Sequence, residues 1–63
     1  MTLRQMLEFI DCDTPTYVIF QDDMDISSSE AQHLLHLIAD PILDMTKVEQ
    51  VGCEDNQIKI WTE

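Results

Sequence analysis

His33 and His36 stand three residues apart, close enough on one helix for both imidazoles to reach a single ion, with Asp40 on nearly the same face as the obvious third donor. Zinc needs four ligands. A polar helix face that carries two histidines is therefore the expected arrangement, and neither a metal nor a cofactor is assigned. Asp22, Asp23 and Asp25 form a fragment of a carboxylate metal site, but a calcium loop needs a longer Asp-x-Asp-x-Asp-Gly series closed by a distal Glu. The single glycine, Gly52, is far from them, and no Gly-rich phosphate loop exists either. Cys12 and Cys53 belong to no Cys-x-x-Cys pair and read as small apolar fillers near element ends. With no nucleophile signature and only 63 residues from which to build a pocket, the chain is expected to act by binding and without catalysis.

The charge balance points the same way. Thirteen Asp and Glu face three Lys and Arg, a formal net charge of −10 at pH 7. A domain this small hides few charges, so most of the acids must lie on its surface, where their field repels polyanions and attracts basic surfaces. Direct nucleic-acid binding is excluded on that ground. No apolar run approaches the roughly 20 residues that span a bilayer, and acidity disfavours anionic lipid surfaces. Leu3 to Ile10 is interrupted by Arg4, Gln5 and Glu8, unlike a signal peptide, so both cysteines are expected as reduced thiols in a cytoplasmic protein.

These side chains need elements to hold them. Thr2 can cap a first helix whose stripe is Leu3, Met6, Leu7 and Ile10, ended by Asp13, Thr14 and Pro15. Thr16 to Gln21, with Tyr17, Val18, Ile19 and Phe20, reads as a central strand, and Met24 to Ser27 as a short strand returning from the Asp22-Asp23 turn. Ser27 and Glu30 fit a capping box before a second helix, with Ser28 as a competing cap. Ala31, Leu34, Leu35 and Ile38 are its inner stripe, His33, His36 and Asp40 its outer one, and Pro41 its end. Lys47 to Cys53 and Gln57 to Thr62 form a terminal hairpin around Glu54, Asp55 and Asn56. Val48 and Val51 have opposite parity, so a bulge near Gln50 or Gly52 is needed to turn both inward. The expected fold is one α+β mini-domain over residues 1–63: two helices on one face of a three- or four-stranded, mainly antiparallel sheet, in the order α-β-(β)-α-β-β.

Two helices cover only one side of such a sheet. If Ile58 and Ile60 point at the helices, then Trp61, with Tyr17 and Ile19, lies on the uncovered face. A core of about 60 residues is marginal alone, so a homo-oligomer that buries these three residues is expected. Trp61 merely shielding the last strand is the equal alternative.

The opening Met1-Thr2-Leu3-Arg4-Gln5-Met6-Leu7-Glu8-Phe9-Ile10, the strand Thr16-Tyr17-Val18-Ile19-Phe20 leading to Asp22-Asp23, the segment Ile42-Leu43-Asp44-Met45 before Val48, and the ending Glu54-Asp55-Asn56-Gln57-Ile58-Lys59-Ile60-Trp61 give the chain a recognisable order and texture. In these it resembles the short acidic proteins of unknown function from phages and mobile elements of Gram-positive bacteria. The resemblance implies a small accessory protein of the host bacterial cytoplasm, in a group that includes anti-CRISPR and other anti-defence inhibitors. It transfers no functional residue. The function expected is inhibition of a bacterial nucleic-acid-handling or defence protein through an acidic, nucleic-acid-mimicking surface, with Asp22, Asp23, Asp25, Glu54 and Asp55 as contacts on its basic surface. Same-face residues of a strand are about 6.6 Å apart, twice a rise of roughly 3.3 Å, whereas phosphates recur about every 3.4 Å per strand. Mimicry must therefore be assembled across strands and loops. The alternatives are a homo-oligomeric scaffold joined through the open sheet face, and a small-ligand sponge with an intersubunit pocket where Arg4, Lys47 and Lys59 converge.

Overall fold

Seven short elements follow one another among the described residues: α1 (Leu3–Phe9), β1 (Thr16–Ile19), β2 (Asp25–Ser28), α2 (Ala31–Leu37), α3 (Asp40–Met45), β3 (Val48–Glu54) and β4 (Gln57–Thr62). The structure is a computed structural model that describes residues 1–11, 13–21 and 24–63; Cys12, Asp22 and Asp23 lie outside the described residues. A reciprocal cap starts α1. The Thr2 hydroxyl accepts from the Gln5 amide at 3.3 Å, and the Gln5 side chain accepts from the Thr2 amide at 3.0 Å.

The sheet has the order β2-β1-β4-β3, with β1 antiparallel to β2, parallel to β4, and β4 antiparallel to β3. It is thus a mixed sheet of the expected α+β class. The β3–β4 turn places Asp55 and Asn56 at φ +54° and +64°, the left-handed pair of a two-residue hairpin turn that Asp and Asn tolerate. The register shifts between Val48 and Gln50, so that Val48 opposes Thr62 and Val51 opposes Ile60. Both valines thereby share the parity of the inward residues, but only Val48 packs against the core; Val51, on the edge strand β3, stays 42% exposed.

Two features of the second half differ from expectation. Ser27 and Glu30 form no capping box: Ser27 and Ser28 are consumed by β2, opposite Tyr17 and Thr16. The cap residue of α2 is Glu30, whose amide donates to the Ser28 hydroxyl at 3.2 Å. Pro41 does not end α2, which already stops at Leu37; it sits in the first turn of a third helix, where a missing N–H costs nothing. Three helices, not two, close the core.

That core joins Leu3, Leu7 and Ile10 of the α1 segment, Ala31, Leu34 and Ile38 of the α2 segment, Leu43 of α3, and Val18 and Ile60 of the two central strands. Among the described residues, buried polar side-chain atoms are satisfied. The Thr16 hydroxyl donates to the Thr14 carbonyl at 3.0 Å, and that of Thr62 to the Ile19 carbonyl at 2.9 Å, so neither carries an unpaired group.

Candidate functional site

Alternation along β1 and β4 decides which side chains face outward. Val18 and Ile60 oppose one another and point into the core, so their neighbours Tyr17, Ile19, Lys59 and Trp61 lie together on the other face. Ile19 opposes Trp61, and Tyr17 opposes Lys59. The expected trio of Tyr17, Ile19 and Trp61 is thus assembled, each half-buried. Much of this face is partnered from within. The Tyr17 hydroxyl donates to the Asp25 carboxylate, and Lys59 Nζ donates to Glu54 Oε2 at 3.2 Å. A Cβ at Gly52 would meet Trp61 Cζ3 at 3.1 Å, so the lone glycine is where the indole ring lies against the backbone of β3. The Asp25 hydrogen bond, then desolvation, then the carboxylate charge push the Tyr17 pKa above its ordinary value.

All described Asp and Glu side chains belong to exposed residues, from Glu8 and Asp11 to Glu63. The predicted contact acids are not one cluster. Asp25 opposes Ile19 near the end of β1, whereas Glu54 and Asp55 stand at the opposite end of the sheet, where Gln57 begins β4. Four strand rises of about 3.3 Å, from Trp61 to Gln57, put on the order of 13 Å between those levels. Asp22 and Asp23 lie outside the described residues.

The cations are spread as well. Arg4 Nη2 donates to Asp40 at 3.1 Å and its Nε to Asp44, tying α1 to α3, and these two carboxylates, Asp44 foremost, raise its pKa. Arg4 and Lys59 therefore serve opposite sides of the sheet and do not converge. His33 lies 3.8 Å from Glu30, both exposed, and His36 is exposed too. Asp40 belongs to α3 and is held by Arg4, so it does not extend the histidine face of α2. Among the described residues, no three His, Cys, Asp or Glu gather as metal ligands. Cys53 is an exposed free thiol and not a packed filler, because β3 is an edge strand; Cys12 lies outside the described residues.

Sequence periodicity missed a further surface. Phe20 and Met24, which flank the β1–β2 connection, join Leu37 at the end of α2 and Ile42 on α3 in lining an open groove. It continues past Ile42 to Met45, Thr46 and Lys47, with Glu63 alongside. The available signal was negative: Met24, Leu37 and Met45 belong to no apolar stripe.

No helix among the described residues is long and apolar enough to cross a membrane. No family model matches the chain, and neither a curated protein nor a solved structure is detectably similar to it.

Proposed function

We propose that this chain is a non-catalytic binding protein of the bacterial cytoplasm, of phage type, that docks on a basic, nucleic-acid-handling surface of a host or defence protein and competes there with nucleic acid. The exposure of every described carboxylate carries this reading, since Arg4 and Lys59, two of the three Lys and Arg, are already held by acids of the same chain. The charge left over is strongly negative, −10 for the chain as a whole. Such a field speeds encounter with a basic channel and fixes orientation more than it adds affinity.

The test is capture from a bacterial lysate at about 0.05 M and about 0.5 M NaCl, where screening differs strongly, followed by competition of the captured protein against DNA or RNA. Capture should be lost at the higher salt, and the native chain should displace nucleic acid. The variants Asp22→Asn/Asp23→Asn/Asp25→Asn and Glu54→Gln/Asp55→Asn probe the two groups of acids separately. A captured protein that binds both variants as tightly as the native chain, with the same salt slope, would overturn the reading.

Self-association through the sheet face is the second reading, favoured by the juxtaposition of Ile19 and Trp61 on an uncovered surface. Its salt response has the opposite sign. Two copies of charge −10 repel, so added salt should tighten a dimer and loosen a basic partner.

A further inference from the structure

Seven large apolar side chains are exposed among the described residues, and four of them, Met24, Leu37, Ile42 and Met45, line the groove at the α2–α3 corner; they are 66, 63, 46 and 80% exposed. The other three, Met1, Phe9 and Val51, line none of its hollows. Two hollows of about 340 and about 350 Å³ share Phe20, Met24 and Ile42, so the surface is one run and not separate dimples. Contiguous exposure of this kind marks an interaction surface in a way that single apolar residues do not.

We propose that the groove receives an amphipathic helix whose apolar face is flanked by Lys and Arg, supplied by the protein on which the acidic surface docks; the proposal rests on that docking reading and names the chemistry of its partner. Charge selects the occupant. Asp25 stands at one end of the groove and Glu63 at its side, two carboxylates against the single Lys47 beside Met45, on a chain of net charge −10. A second copy would bring its own acids to the same rim, and an anionic bilayer would be repelled. Backbone chemistry selects the helix. An extended segment laid over Met24, Ile42 and Met45 would leave its N–H and C=O groups facing apolar side chains, whereas a helix satisfies them internally and offers anchors at i, i+3 or i+4, and i+7. Two methionines at the lip allow the surface to adapt to different anchors.

The probe is a synthetic Leu/Lys amphipathic helix of about 18 residues, long enough to be helical when bound. It is compared with the same peptide carrying Glu for Lys, and binding is followed by ¹³C-methyl NMR of the methionines and by calorimetry. The Met24 and Met45 methyls should shift together, while Met6, packed against the core from α1, should not. Leu37→Ser/Met45→Ser should weaken binding at least tenfold with an unchanged melting temperature, and the Glu peptide should not bind. Equal binding of the Glu peptide, silent Met24 and Met45 methyls, or undiminished affinity of the double variant overturns the proposal. So does self-association, or binding to anionic vesicles, that the double variant abolishes. If the captured partner is still held in a salt-sensitive way by the double variant, the groove fails alone; if the Leu/Lys peptide binds and lysate capture fails, the docking reading fails alone.

Discussion

The uncovered sheet face and the groove at the α2–α3 corner both show apolar side chains to solvent, but they differ in what those side chains already touch. On the sheet face, the Trp61 ring lies on Gly52 and beside Ile19, Tyr17 is bonded to Asp25, and Lys59 is paired with Glu54. In the groove, Met24, Leu37, Ile42 and Met45 are 46–80% exposed, whereas Leu43 of the same α3 is buried. A flat face with its own partners can be left in water, or meet a copy of itself, at little cost. An open run of flexible side chains keeps its burial free energy for another molecule, at about 25 cal/mol per Å² before ordering costs are subtracted.

The sharpest break between the two layers of α3 should come from Leu43→Ala. Leu43 is fully buried, so the substitution should cost about 2–5 kcal/mol in urea unfolding, whereas Met45→Ser, two residues on, should stay within about 0.5 kcal/mol. Equal costs would mean that the groove lip is structural. Next in size, Trp61→Ala should cost about 1–2 kcal/mol, below the range for fully buried aromatics because the ring is half-buried. On the self-association reading, sedimentation equilibrium at about 0.5 M salt, where repulsion is screened, shows a dimer for the native chain and a monomer for this variant; a native monomer there leaves the sheet face to water.

A smaller effect is expected for Arg4→Gln, which frees Asp40 and Asp44 and loosens α3 against α1. Affinity for the Leu/Lys helix should drop by about twofold while Trp61 fluorescence stays unchanged, as befits a half-exposed ion pair that positions one groove wall. The smallest effect concerns pH. The hydrogen bond to Asp25 raises the folded-state pKa of Tyr17, so the folded chain holds the phenol proton more tightly than the unfolded one. Its contribution is fully present below the unfolded value of about 10 and is lost as pH rises through the folded value. Tyr17→Phe should flatten stability across that alkaline window, read by urea midpoints beside the ultraviolet titration of the native phenol.

Local patterns in the chain foretold what local forces decide. The Leu3, Met6, Leu7, Ile10 stripe, the Thr2 cap, the strand at Tyr17 to Ile19, the hairpin at Asp55-Asn56 and the irregularity near Gln50 are all present. Pro41 misled because proline stops a helix and also suits the first turn of the next; the choice was made by Leu43, which α3 delivers to the core. Ser27 misled because pairing with Tyr17 outweighed a cap. The groove was hidden because its walls come from three separate stretches that only tertiary packing brings together. Whether the contact acids gather was likewise beyond local patterns, because the parallel pairing of β1 with β4 is what puts Asp25 and Asp55 at opposite ends.

That parallel pairing also governs how the molecule comes into being. The two central strands are drawn from opposite parts of the chain, and the Thr62 hydroxyl closes on the Ile19 carbonyl across 43 positions. Until β4 exists, β1 has a neighbour on one edge only, and Val18 has no Ile60 to pack beside. Loop closure of this span must precede its reward, which slows folding relative to helical chains of equal length. Neither half of the sequence can therefore complete the central β1–β4 pair, or the part of the core that Val18 and Ile60 share, without the other.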